Sequence, residues 1–597
     1  MKKMALVMTI VVFLAIFSTL VPLVEVQGTI GILEGWMRGE YDLAGTRYYP
    51  YPSKYHIPDK PFELLWTSPR EGKNLRVLTG DVNGDGELEV VKVSSPNLTV
   101  ISGDGTELWT ETIPGEDSYY GTGWLNLNML EDVTGDGVPE IFVQRKVSHT
   151  IQHIYVYDGN QNRIKTLSRT VGYDGGMGAG AVFDVDKDGD KEIFCSIGSN
   201  YAGNPRGSCL FDYNTGAQLW YYAAGNPIGR SIADLNNDGM LEITSTAWFT
   251  VHNGAWGKGK GTATYTDDDT VYVVVINENG DEIFTKQLYS APHHTHGMVI
   301  VKIVDLDRDG TKEVLLLARY WWTPDYAEIL LLDANGNSLK SYQGPYHGGW
   351  SSPIIVDINK DEKDEVIVRD TDGNLLVLDY NLNVIDSATG YAPRLVNDIN
   401  GDGELEIIAG VNGTGELAVL DNSLDEIWRV PYTGTTIISD VTGDGINDLI
   451  LTMPDAVCVL SFPGIEATVD VDPDTLNLES EGKWITAYIE LPESYDVSDI
   501  DLCTILLNDA IATDSEDPLE IGDEDNDGVP DLMVKFDRAE VAQYIWENIG
   551  SLAPVQTKPL TYMVNLTVSG SLVNGILFEG TDTIKVIHFL KGQPKHK

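Results

Sequence analysis

The chain has 597 residues, 42% of them hydrophobic and 9% aromatic, enough for a packed core and for more than one domain. Ninety-one acidic residues against 40 basic ones give a formal charge of -51 at pH 7. That charge excludes nucleic acid and anionic membrane surfaces as partners by repulsion, and leaves a cation, a neutral glycan or a protein.

Lys2 and Lys3 precede an apolar stretch from Met4 to Val24, and Val26 and Gly28 supply the small residues that a signal peptidase accepts before its cut. Residues 1–28 are therefore expected to be an export signal, or an anchor if the stretch stays uncleaved; no second span follows. Residues 29–61 read as a leader segment. Export colours the cysteines, because thiols outside the cytosol tend to pair. Cys195 and Cys209 flank a loop and are expected either to cross-link neighbouring strands or to remain two buried thiols, while Cys458 and Cys503 are unassigned.

The stretch "DVNGDGELEV" at 81–90 opens the most informative pattern in the chain. Similar stretches begin at Asp81, Asp132, Asp184, Asp234, Asp305, Asp357, Asp398, Asp440 and Asp523, the first eight at a period near 50 residues. Each sets oxygen-bearing side chains at its first, third, fifth and ninth positions around a glycine at the sixth. The expected metal ligands are Asp81, Asn83, Asp85 and Glu89; Asp132, Thr134, Asp136 and Glu140; Asp184, Asp186, Asp188 and Glu192; Asp234, Asn236, Asp238 and Glu242. The later copies add Asp305, Asp307, Asp309 and Glu313; Asp357, Asn359, Asp361 and Glu365; Asp398, Asn400, Asp402 and Glu406; Asp440, Thr442, Asp444 and Asp448; and Asp523, Asp525, Asp527 and Asp531. Hard oxygen donors converging on one point, with a backbone carbonyl at the seventh position, predict Ca2+, about one ion per copy. These are not EF-hands, since the twelfth position is Lys92 in the first copy and Val143 in the second and the flanks read as strands. Turn-forming alone would explain the glycine and one aspartate, but not acids kept at alternate positions. The sixth copy, "DINKDEKDE", departs most, with Glu362 in place of glycine.

Each copy sits among four short runs rich in Val, Ile, Leu, Thr and Trp, as in "LRVLTG", "ELEVVKV", "NLTVIS" and "ELWTETI". Such units predict antiparallel four-stranded blades. The last unit stops after its third strand, "AVCVLSF", and "FELLWTSP" at 62–69 carries the missing fourth-strand pattern. The predicted fold is all-β: an eight-bladed β-propeller over 62–463, its last blade closed by that N-terminal strand, followed by a small β-sandwich-like domain.

The predicted loops of blades 4 and 5, on the face away from the acidic loops, are rich in aromatics and histidine. Trp248, Trp256, His293, His294, His296, Trp321, Trp322, His347 and Trp350 form a candidate ligand surface there. Flat rings stack on the apolar faces of sugars; the same rings could equally pack the insertion onto the blades.

The stretches "LVNDINGDGELEIIAG" and "VFDVDKDGDKEIFCS" resemble the FG-GAP or VCBS repeats of integrin-alpha-like calcium propellers over residues 75–463, without their consistent Phe-Gly and Gly-Ala-Pro elements. The leader "WMRGEYDLAGTRYYPYP" resembles segments that precede quinoprotein-like propellers, although no repeated tryptophan docking motif is seen in the blades.

Residues 464–597 read as a β-sandwich-like accessory domain with one helix from Arg538 to Asn548, capped by Asp537. The segment resembles C-terminal modules of secreted proteins. Two functions remain open. One is an extracellular binding or adhesion protein, with a carbohydrate or another protein as ligand; the other is a polysaccharide lyase, since the rhamnogalacturonan lyases are similar in using a calcium-bearing propeller. In the second case His294 or His296 would be the base and Arg319 would neutralise a substrate carboxylate. No nucleophile motif or fixed acid/base pair favours catalysis, and oligomeric state is open.

Overall fold

A computed structural model describes residues 49–53 and 62–588, apart from 116–124, 149, 171–175, 199–206, 225–230, 247–258, 261–269, 291–296, 321–325, 345–351, 433, 463, 481, 493–494, 509, 514–519, 524–527, 549–555, 558–559 and 574–575. The fold is all-β, with one α-helix among the described residues. The export signal, and all of the leader but residues 49–53, lie outside them. No described helix is long and apolar enough to cross a membrane.

Eight sheets follow one another along the chain, numbered here 1 to 8. Sheets 1 to 7 span 73–112, 126–170, 176–223, 232–290, 297–342, 354–388 and 391–430. Each is built on an antiparallel meander of four strands, to which sheet 3 adds a fifth. Sheet 8 takes three strands from 435–461, and its fourth is Glu63–Pro69, which pairs antiparallel with Ala456–Ser461. The "FELLWTSP" run is therefore the outer strand of the last sheet, as the sequence pattern requires.

Strand alternation explains how the sheets pack. Neighbouring residues of a strand point to opposite faces, so a buried strand carries two apolar faces. In Glu192–Gly198 of sheet 3, Ile193, Cys195 and Ile197 join an apolar cluster with sheet 2, whereas Phe194 joins one with sheet 4. Further clusters join sheets 4 and 5, 5 and 6, and 6 and 7. A larger one runs through sheets 7, 8, 1 and 2 and on into the C-terminal domain.

Five of the outer strands dock their sheet onto the next through one repeated position, the tryptophan of the "ELW" signature or a lysine in its place. Indole N–H groups donate to backbone carbonyls in the following sheet's outer turn: Trp66 to Gly103 at 2.7 Å, Trp109 to Gly159 at 2.7 Å and Trp220 to Glu278 at 2.8 Å. Lys165 and Lys340 at the same position reach Asn214 and Tyr380, each at 3.0 Å. Gly105 and Gly280, at φ +88° and +77°, lie under Trp66 and Trp220, where a Cβ would meet the ring at 2.8 Å. This corrects the sequence reading that found no repeated tryptophan docking. The motif is there, but lysine or phenylalanine replaces the indole in some copies, and its partner is a carbonyl that no residue code reveals.

The insertion of sheet 4 also departs from a simple loop. Its described piece, Gly259–Lys260, pairs with Tyr222–Ala223 and extends sheet 3 to five strands, covering an edge. Cys195 and Cys209 stand opposite each other on adjacent strands as fully buried thiols that no disulfide joins, and Cys209 Sγ donates to the Cys195 carbonyl at 3.6 Å. Of the two readings, separate thiols are what this structure holds.

The C-terminal residues form a seven-stranded and a four-stranded sheet that share one core. The helix Arg538–Asn548 is capped as expected: Asp537 Oδ1 accepts from the N–H groups of Ala539 and Glu540 at 2.8 and 3.1 Å.

Candidate cation-binding loops

Every sheet joins its first strand to its second through one acidic loop, and all eight loops share one backbone. In the first loop, Asp81 accepts N–H groups from Gly84 at 2.7 Å, Asp85 at 3.1 Å and Gly86 at 3.0 Å. Glu89 folds back to accept the Val82 N–H at 3.0 Å and the Asn83 amide at 2.9 Å. The sixth-position N–H meets the first aspartate at 2.9–3.0 Å in all eight copies.

The sixth position is left-handed throughout, for example φ +97° at Gly86 and +94° at Gly189. Glu362 adopts φ +69° and donates its N–H to Asp357 at 3.0 Å, so the most divergent loop keeps the fold at a conformational cost. That loop differs in another way: the Arg308 guanidinium, from the loop before, pairs with Asp357 at 3.2 Å and with Asp364 at 2.5 Å. A protein cation already sits on its first-position carboxylate.

The loops touch in succession. Asn237 donates to the Gly310 carbonyl at 2.7 Å, and Lys360 pairs with Glu404 at 2.5 Å. A side chain at Gly443, in the eighth loop, would collide with the Glu87 carboxylate of the first.

The donor sets suit a hard cation. Asp184, Asp186 and Asp188 each bring a carboxylate oxygen within 4.8 Å of the others, as do Asp305, Asp307 and Asp309. Buried oxygens without a hydrogen-bond partner concentrate here: Asp307 Oδ1, Glu313 Oε2, Asp398 Oδ1 and Asp448 Oδ1. An unsatisfied buried oxygen is costly, and a bound cation removes that cost. Burial, then repulsion from the loop aspartates, pushes the Glu89, Glu192 and Glu365 carboxyls up to about 7 and Glu406 and Asp448 to about 8. Only a nearby positive charge would hold all of them ionised at neutral pH.

Loops 7 and 8 lie beneath a strap that the sequence did not reveal. Tyr49 and Ser53 donate backbone N–H groups to the carbonyls of Val396 and Asp398 at 3.2 and 2.9 Å. Ser53 Oγ donates to the Ile399 carbonyl at 2.7 Å and accepts the Asn447 N–H at 3.0 Å. Asn447 also donates to Tyr51 O at 2.8 Å and to Asn397 Oδ1 at 3.0 Å. A cavity of about 500 Å³ separates Asp444 and Ile446 of loop 8 from Thr504, Phe578 and Glu579 of the C-terminal domain.

In the ninth loop Gly528 keeps φ +99° and Asp531 is buried, while Asp525 and Asp527 lie outside the described residues. So do all nine residues of the aromatic and histidine surface, Trp248, Trp256, His293, His294, His296, Trp321, Trp322, His347 and Trp350. Arg319 is half-buried on the strand Glu313–Tyr320, opposite Met298 and Ala327.

Neither a protein-family model nor a curated protein sequence matches the chain. Among solved structures it is similar to the exotype rhamnogalacturonan lyase YesX, at TM-score 0.36 and 13% identity over 75% of this chain and 84% of that one. It is also similar to the biofilm matrix protein Bap1 of V. cholerae, at TM-score 0.30 and 14% identity over 70% and 90%. The Dos1 propeller gives TM-score 0.30 and 9% identity over 69% and 94%. The neighbours include β-propeller proteins, and at these scores they decide nothing about what this chain does.

Proposed function

We propose that the eight sheets close into an eight-bladed propeller whose rim of loops binds Ca2+, and that the exported protein is an extracellular binding or adhesion protein for carbohydrate. The observation that carries the reading is the recurrence of one loop geometry in all eight sheets, with buried unpartnered oxygens inside it. Two contacts support closure: Trp66 of sheet 8 docks on sheet 1 as Trp109 of sheet 1 docks on sheet 2, and Gly443 abuts Glu87. Closure covers the apolar faces of the first and last sheets and leaves only short, protected edges. Of the loops, the sixth is the weakest site because Arg308 competes for Asp357.

The carbohydrate part rests on the sequence surface over blades 4 and 5, where aromatic rings suit sugar faces and histidine tips suit hydroxyls. Elemental analysis for calcium tests the metal. A glycan array, with Trp321→Ala/Trp322→Ala as the paired control, tests the ligand, and release of unsaturated products from pectin separates a binder from a lyase. A protein free of calcium after dialysis against micromolar calcium would overturn the metal assignment.

A further inference from the structure

We propose that Arg369 and Arg394, brought together between sheets 6 and 7, form a seat for an oxyanion group carried by the ligand, a carboxylate or a sulfate ester. The identity of the carrier as an acidic saccharide rests on the carbohydrate reading above; the anion seat does not.

Arg394 stands where the pairing of strand Tyr391–Asn397 slips, between Pro393 and Leu395. Arg369 ends the strand Glu365–Arg369 in the neighbouring sheet. Both side chains are half-buried, and each has its Nε atom fully buried with no acceptor. Burial and the adjacent Arg369 charge both hold the Arg394 guanidinium below its ordinary pKa. The two strands that carry them touch, and Arg394 feels the Arg369 charge, in a protein that carries 91 acidic residues; among the described residues no carboxylate pairs with either. An exposed arginine in this region is paired: Arg429, on the outer strand of sheet 7, meets Glu416 at 3.1 Å and Glu426 at 2.6 Å.

The surroundings hold the pair open. Arg369 Nη2 donates to Asn412 Oδ1 at 3.3 Å, and Asn412 Nδ2 donates to the Gly373 carbonyl at 2.7 Å. Asn412 is fixed further by its N–H to the Gly390 carbonyl at 2.8 Å. Glycines make room for the guanidinium groups: a Cβ on Gly410 would lie 3.1 Å from Arg394 Nη2, and one on Gly373 would lie 2.8 Å from Arg369 Nη2. A buried, uncompensated cation is costly, and two side by side more so; an oxygen anion bridging two planar guanidinium forks satisfies charge and hydrogen bonding together. Both arginines lie several residues from the acidic loops along their strands, so the seat is separate from the calcium ligands. The local positive charge lets a chain repulsive to polyanions as a whole accept one anionic group at one place.

The test uses the full chain in calcium. Melting is followed with sodium sulfate or sodium acetate against sodium chloride at equal ionic strength, and titration calorimetry is run with trigalacturonic acid and with a sulfated disaccharide. The expected results are a rise in melting temperature with one of the two oxyanions over chloride, binding of the matching saccharide, and at least a tenfold loss of both responses in Arg394→Gln. Without anion, Arg394→Gln should melt at or above the parent, because a buried repulsion has gone; Arg394→Lys keeps the charge but not the fork and should bind weakly. A response to simple anions without saccharide binding keeps the seat and removes the saccharide. A parent indifferent to sulfate and acetate, together with an Arg394→Gln chain that melts lower in anion-free buffer, would mean that the pair is structural and the proposal fails.

Discussion

The first and eighth acidic loops are built from nearly the same sequence, "DVNGDGELE" and "DVTGDGIND", and have the same backbone, yet they live in different surroundings. Asp85, Gly86 and Glu87 are exposed, whereas Asp444 and Gly445 are half-buried; the ninth-position carboxylates, Glu89 and Asp448, are buried in both loops. The strap of residues 49–53 and the C-terminal domain make the difference. A local motif therefore specifies geometry, and its distant neighbours set how far its carboxylates are enclosed. Burial removes the water that would otherwise solvate the carboxylates, so the same oxygens attract a cation more strongly when enclosed.

Chelation is expected to have the largest effect. Each site held at 100 times its dissociation constant adds about 2.7 kcal/mol to folded-state stability, so stripping several at once should lower the melting temperature steeply. Scanning calorimetry in EDTA and in graded calcium should show two classes of site, with loops 7 and 8 emptying last; a single class would break the distinction between the two loops.

Next is the paired substitution Asp448→Asn against Asp85→Asn. In calcium the buried change should cost about 3 kcal/mol, since it removes one partner from an enclosed ion pair. The exposed change should cost less than about 1 kcal/mol. In EDTA the order should reverse, because the Asp448→Asn chain need take up no proton to keep that buried position neutral, and denaturant melts of both variants check the reversal.

The pH response sharpens the same contrast. In the calcium-free chain the Asp448 and Glu406 carboxyls sit near 8, above their unfolded values, so the folded state binds the extra protons. Stability should then be greatest near pH 4 to 5 and be lost as pH rises through about 8. In saturating calcium that loss should disappear.

The smallest expected effect is Ser53→Ala, which removes two buried hydrogen bonds of the strap and should cost about 1–2 kcal/mol. Limited proteolysis should then cut near residue 53 sooner, most of all in EDTA.

Much of this architecture was legible because it is periodic. The repeating loops, the apolar alternation of the strands and the orphan outer strand at 62–69 are local patterns with one physical solution each. The Asp537 cap was legible for the same reason, since its partners are two and three residues away. Contacts that span the chain were not. Ser53 bonds across 346 residues to Ile399 and 394 to Asn447, through backbone groups that every residue carries. The docking tryptophans stood in the quoted strand signature, but their acceptors are carbonyls 37 to 58 residues away.

The sequence by itself determined the sheets, their order and the loop geometry, because strand alternation, glycine at left-handed positions and short-range aspartate hydrogen bonds act within a few residues. Tertiary structure alone decided which loops are enclosed, that Arg308 takes a carboxylate of the sixth loop, and that Arg369 and Arg394 meet without a counter-charge. The physical reason is that burial and electrostatics depend on what the rest of the chain brings into contact, and distance along the sequence carries no record of it.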